Sequence, residues 1–296
     1  TTILYARISV TTTMTEAYEK ISGADFDIAD PDNGVIPFSM SVEGLDGAGK
    51  TYLSLMTTPL PVVHLNFSDR DATPFLYEMS DERRKQTTLH NFRSKSLRGW
   101  TRAEGMESLA KLTEIAQEEL GGGRLKGGTF VLDGGSSWWE VMQECYVAPE
   151  VERHQREFGK QIGGIAYGPA NILVKGLINW IKTQGAFIIL THQLAQEWDA
   201  NGPIPGAYRA RQNGQIPYMV EARLRLSKTC NECGASECFA ANHVGRTHWA
   251  HIMKFGTKSD LIGTLLPNPT MSTVYALYTG RLLKGVTEME TVNDPT

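Results

Sequence analysis

Apolar and polar positions along this 296-residue chain fall into three regimes. Residues 1 to 35 show no period; stretches such as SGADFDIADPDNG are polar and turn-forming, which predicts an arm ahead of a core spanning residues 36–296. Short apolar or alternating runs then trade places with longer stretches at helical spacing. PFSMSVE, PVVHLNFS, GGTFVLDGG and AFIILT predict strands, the last wholly apolar as in the interior of a parallel sheet. KTYLSLMTT opens a helix that Pro59 and Pro61 stop. Met106, Leu109, Ala110, Leu112, Ala116 and Leu120 lie near a 3.6-residue period, so a helix is expected up to the glycines at 121–123. ILVKGLINWIKTQ predicts another. Strands alternating with helices imply an α/β fold, a mostly parallel sheet with helices on both faces. In the third regime residues 195–218 read as a loop, and VEARLRLS, THWAHIMKF and STVYALYTG read as consecutive strands, a C-terminal antiparallel extension. DERRKQTTLHNFRSKSLRGWTR has no clean period and reads as exposed.

Composition narrows the classes. A chain with 41% hydrophobic residues can bury a sizeable core. A net charge of −4 excludes a shell of positive charge held to nucleic acid by bulk electrostatics, so any such contact must be local. No apolar run approaches the roughly 20 residues that cross a bilayer, and the expectation is a soluble, cytoplasmic protein without a membrane partner.

The chemistry starts at GLDGAGKT, residues 44–51, which satisfies GxxxxGK[ST] between a predicted strand and a predicted helix. Glycines let successive N–H groups converge on phosphate oxygens, and the helix that follows adds its positive end. Gly44, Gly47, Ala48, Gly49, Lys50, Thr51 and Tyr52 form the expected nucleotide site; Lys50 would neutralise β and γ phosphates, and Thr51 would ligate Mg²⁺. Asp133, closing FVLD, supplies the second metal-side group. A residue that orients the attacking water is expected at the tip NFSDRD, where Asp69 is the nearer candidate and Asp71 the second.

GLDGAGKT, HLNFSD, FVLDGG and IILTHQ, in that order, resemble the RecA-type P-loop ATPase core, most closely the phage-encoded, core-only RecA-like ATPases of recombination and single-strand annealing. The resemblance spans about residues 38 to 280. It implies ATP held between subunits of a homo-oligomer, filament or ring, with single-stranded DNA on two loops, here GKQIGGIAYGPAN and AQEWDANGPIPGAYRARQNGQIPY. Gln193 matches the glutamine that links nucleotide state to the DNA loop, whereas His192 stands where asparagine is usual. Basic residues in the late strand, Lys254 and Lys258, would reach a neighbour's γ-phosphate. A single-strand-binding protein is a further expected partner.

The second loop has properties of its own: Arg209 and Arg211 suit phosphates, and Trp198, Tyr208 and Tyr218 suit stacked bases. Tyr167 in the first loop fits stacking or packing equally. Cys230, Cys233, Cys238 and His243 read C-x2-C-x4-C-x4-H, a zinc-binding spacing inside an insertion at 229–248; reduced thiols or a redox pair are the other reading. FDIA, residues 26–29, matches a short docking motif of recombinases. The function these features predict is an ATP-dependent single-stranded-DNA-binding protein of recombination or annealing. A hexameric helicase or motor on the same core, and a nucleotide-gated scaffold recruiting partners through the zinc module, are the alternatives.

Overall fold

A computed structural model of the chain describes residues 36–95, 99–160, 162–200, 202–234, 245–256 and 258–279. The FDIA stretch, Cys238 and His243 lie outside the described residues. Nine strands are described: β1 (Ser39–Gly44), β2 (Val62–Asn66), β3 (Thr87–Asn91), β4 (Thr129–Asp133), β5 (Phe187–Asp199), β6 (Gly202–Ala210), β7 (Ala222–Cys230), β8 (Arg246–Phe255) and β9 (Leu265–Pro267). The helices are α1 (Lys50–Met56), α2 (Pro74–Glu78), α3 (Asp81–Lys85), α4 (Arg102–Gly121), α5 (Gly135–Met142), α6 (Ala148–Phe158), α7 (Gly168–Thr183), α8 (Ile216–Met219) and α9 (Met271–Thr279). A π-helical stretch, Gln143–Val147, joins α5 to α6.

The strands lie in the order β3-β2-β4-β5-β1-β7-β8-β9. Neighbours from β3 to β7 run parallel, while β8 and β9 are antiparallel. This is the expected architecture, a mostly parallel sheet flanked by helices with an antiparallel C-terminal extension. Side chains alternate across such a sheet, so each strand feeds two cores. Val63, Leu65, Phe130, Leu132, Ile188 and Leu190 pack under α4, α5 and α7. Met40, Val42, Val131, Ile189 and Leu224 pack on the opposite face under α1 and α9. Each fully buried aliphatic side chain contributes about 1.5–3 kcal/mol, which is why apolar runs as short as TFVLD hold the central positions. Helix α4 starts where a capping box forms: Thr101 Oγ1 accepts from Glu104 N, and Glu104 Oε2 accepts from Thr101 N at 2.9 Å.

Four expectations are corrected. Residues 195–218 are largely not loop: β5 continues past the sheet to Asp199 and pairs with β6 as an antiparallel hairpin, Leu194 opposite Ala210 and Asp199 opposite Gly202. Within the stretch read as exposed, residues 87–91 form β3, a half-buried edge strand beside β2. STVYALYT is helix α9, because Met271, Val274 and Tyr275 bury one stripe against the sheet. The first DNA-loop candidate is mostly helical as well, a 3₁₀ turn at Gly164–Tyr167 running into α7.

Candidate active site

The phosphate loop follows β1 at its carboxyl end. Gly47 and Gly49 hold φ of 72° and 91°, left-handed backbone that favours glycine. Gly44 is needed for another reason: a methyl group there would lie 2.9 Å from the Leu226 carbonyl oxygen. Lys50 Nζ donates to the Gly44 and Leu45 carbonyls at 2.8 and 2.9 Å. Burial lowers its pKa below the ordinary lysine value, against the opposing pull of Asp46 and Asp133. Tyr52 is exposed in the first turn of α1. At the loop's tip Asp46 pairs with Arg70 at 3.3 Å.

β4 lies two strands from β1, with β5 between them. Asp133 at its end is only 3% exposed. Thr51 Oγ1 donates to Asp133 Oδ2 at 2.8 Å, and Thr191 Oγ1 donates to Asp133 Oδ1 while accepting from Gly134 N at 2.9 Å. His64 Nε2 stands 3.4 Å from Asp133 Oδ2. Burial alone would raise the carboxyl's pKa; His64 and the two hydroxyls outweigh it and bring it down to about 2. The aspartate is therefore ionised. An ionised carboxylate touching a threonine hydroxyl at a phosphate loop is a set of hard oxygen donors, which fits Mg²⁺, and the glycine-built loop fits a nucleotide's phosphates.

The two carboxylates at the tip after β2 differ. Asp71 Oδ1 accepts from Thr73 N at 2.9 Å and from Asn91 Nδ2 at 3.1 Å, and its other oxygen lies 3.1 Å from Arg93. It is committed to shaping the turn. Asp69 is exposed and makes no hydrogen bond or ion pair among the described residues. The two tips are in backbone contact: Phe67 N donates to Asp133 O at 2.7 Å, and a methyl on Gly134 would come within 2.5 Å of Ser68 N.

β5 carries Thr191, His192 and Gln193 past the site. His192 is buried, and burial foremost, with the charges of Arg223 and Lys50, pulls its pKa down to about 3, so the ring is neutral. Gln193 N donates to Ser136 Oγ at 2.9 Å, and Gln193 O accepts from Arg211 N at 2.9 Å. Ser136 Oγ donates in turn to Arg211 O at 2.5 Å. Gln193 is thus bonded to the chain leaving the hairpin.

On the hairpin Trp198 is 71% exposed, Tyr208 sits opposite Gln196, and Arg209 is exposed opposite Ala195. Arg211 is not equivalent to Arg209, because its guanidinium pairs with Glu140. Tyr218 is exposed within α8, whereas Tyr167 stacks on Trp139 with ring centroids 6.1 Å apart. Lys254 Nζ donates to the carbonyls of Pro217 and Val220 at 2.8 and 2.6 Å, and Lys258 Nζ to that of Leu277 at 2.6 Å. Both ammonium groups bind carbonyls of their own chain. Cys230 is buried, with Sγ 3.0 Å from Glu232 Oε2, and Cys233 is exposed at the β7–β8 turn. Among the described residues no group of three metal-ligating side chains occurs.

Sequence reasoning missed two elements of the site. His64 beside Asp133 was signalled by a histidine inside an apolar strand. Glu43, one residue before the phosphate loop and fully buried, takes Arg223 at 2.8 Å and Arg225 at 2.7 Å. Arg225 reaches on to the Tyr208 carbonyl at 3.1 Å. Alternating charge in EARLRLS was its only trace.

No family model and no curated protein matches the chain. Among solved structures it is similar to a KaiC-like protein from the hyperthermophilic archaeon Pyrococcus horikoshii OT3, at 14% identity and a TM-score of 0.41 over 78% of this chain and 84% of that one. Nothing further follows from so distant a likeness. Among the described residues no helix is long and apolar enough to cross a membrane.

Proposed function

We propose that this chain is a Mg²⁺-dependent P-loop ATPase of the RecA type that binds single-stranded DNA through its β5–β6 hairpin and acts in recombination or strand annealing as a homo-oligomer. One observation carries the reading: β5 runs from Thr191, hydrogen-bonded to Asp133, through a register shift after Gln196 to Trp198 at the hairpin. A single strand thereby spans the phosphate-side chemistry and an exposed aromatic and cationic surface.

Bound ATP with Mg²⁺ would supply the scissile phosphoanhydride and the charge that offsets its leaving group. Thr51 and Asp133 would hold the ion, and Lys50 would move from its own loop's carbonyls to phosphate oxygens. Asp69, exposed on the loop whose backbone meets the end of β4, would orient a water and accept its proton. Gln193, which enters the hairpin and is bonded directly and through Ser136 to Arg211 at its exit, would pass a shift at the site to Trp198, Tyr208 and Arg209. Lys254 and Lys258 act in trans only if they leave their carbonyls. In the same reading Cys230, Cys233, Cys238 and His243 staple the β7–β8 turn with zinc; elemental analysis would give about one zinc per chain, and none after Cys230→Ser with Cys233→Ser.

The test is ATP hydrolysis with and without single-stranded DNA, alongside DNA binding across a salt series. Expected are stimulation by DNA and binding that requires ATP and weakens with salt. Absence of single-strand binding at saturating ATP would overturn the DNA reading.

A further inference from the structure

The antiparallel extension places one of its cross-strand pairs, Lys228 opposite His248, against the phosphate loop. A methyl group on Gly47 would lie 3.0 Å from Lys228 Nζ, and one on Gly49 would lie 3.0 Å from His248 Nδ1. Those are the two left-handed glycines of the loop. His248 Nδ1 also stands 3.2 Å from the Ala48 carbonyl oxygen, so that nitrogen is the protonated one and donates. In a trans peptide the C=O and the next N–H point opposite ways. Holding Ala48 O on the His248 side therefore turns Gly49 N–H to the opposite side, away from the extension.

The histidine is itself held firmly. His248 N donates to Asn268 Oδ1 at 3.1 Å, and Asn268 N donates to His248 O at 2.6 Å. The next rung is braced by Trp249 Nε1 donating to Thr229 Oγ1 at 2.9 Å. Lys228 is half-buried and has no carboxylate partner among the described residues. Of the acids close to the loop, Glu43 is paired with Arg223 and Arg225, Asp46 with Arg70, and Asp133 with two hydroxyls. An ammonium against Gly47, with none of these acids committed to it, is stabilised by an anion on the loop.

We infer that Lys228 and His248 belong to the nucleotide site in cis: Lys228 contacts the polyphosphate as a second ammonium, and His248 is a positioning residue that aims the Ala48–Gly49 peptide. The inference rests on the nucleotide reading above. It assigns to the extension a part in binding phosphate that neither lysine of the late strand, Lys254 or Lys258, fills.

The experiment is calorimetric titration of the full chain with ADP and with adenosine, Lys50→Ala serving as the reference variant. Lys228→Gln is expected to weaken ADP binding on the order of tenfold or more, leave adenosine binding unchanged, and be rescued by Lys228→Arg. His248→Phe is expected to weaken ADP similarly, and His248→Gln, whose amide can donate to Ala48 O, to restore it. Nucleotide-free melting temperatures check folding, with Lys228→Thr substituting if Lys228→Gln unfolds. If Lys228→Gln and His248→Phe bind ADP as the wild type does while Lys50→Ala loses it, the inference falls and the nucleotide reading stands. Wild-type ADP binding by Lys50→Ala overturns both.

Discussion

The two halves of β5 differ in every respect except that they are one strand. Residues 187–192 are buried, paired in parallel with β1 and β4, and include Thr191, which hydrogen-bonds Asp133. Residues 194–199 leave the sheet, pair antiparallel with β6 and finish at an exposed tryptophan. Burial suits the first half to chemistry, since a dry surround strengthens each charge–hydroxyl contact. Exposure suits the second to contact, since a ring must be reachable to stack. One strand joins the two settings, and its ladder to β6 shifts register between Gln196 and Trp198, just before the exposed ring.

Substitutions can separate the halves. The largest effect is expected at the buried end: Asp133→Asn should cut steady-state ATP hydrolysis by about 10²–10³ fold while single-strand binding in excess ATP stays within a few-fold of wild type. Equal loss of both would show that the halves are not separable. Next comes the seam. Glu43→Gln leaves Arg223 and Arg225 beside an uncharged partner, and chemical denaturation should show a loss of about 3 kcal/mol. A change under 1 kcal/mol would mean that the Glu43–Arg225–Tyr208 link does not tie the loop to the hairpin. At the exposed end Trp198→Ala should cost about 1–3 kcal/mol in single-strand affinity, with DNA-free hydrolysis unaltered; a matching fall in DNA-free hydrolysis would join the ends more tightly than drawn here.

A pH-dependent effect marks the boundary between the halves. His192 has its pKa lowered from 6.5 to about 3, so between those values the unfolded chain takes up a proton that the folded chain refuses. Stability should be fully present above pH 6.5 and decline as pH falls toward 3, by up to about 1.4 kcal/mol per pH unit. The Asp133 contribution is lost only lower, between 3.8 and about 2. His192→Met should flatten the profile from pH 6 to 4.5 in urea titrations; an unchanged slope there would assign the acid sensitivity to other groups.

What the sequence made legible divides along the same line. Apolar runs gave away β1, β2, β4 and the first half of β5, because burial is what such runs encode. GLDGAGKT and FVLD located Lys50, Thr51 and Asp133. The hairpin was hidden because Gly202, Pro203, Pro205 and Gly206 signal turns, and an exposed ribbon is held by ladder bonds rather than an apolar face. β3 was hidden because TTLHN lies half-buried at an edge. Helix α9 was misread through its β-branched and aromatic residues, although Met271, Val274 and Tyr275 already carried the helical interval. Glu43 with Arg223 and Arg225 needed the register of β1 and β7, which no local pattern contains.

Gly134 sets a length. With nothing on its α-carbon, the ends of β2 and β4 meet backbone to backbone, and the loop bearing Asp69 is seated at a fixed offset from Asp133. Substitution at either acid can change which group stands there, but not how far apart the two stations are. That spacing is written into a missing methyl, and even alanine at 134 would act as a wedge, moving the loop that bears Asp69 away from Asp133 while changing neither acid.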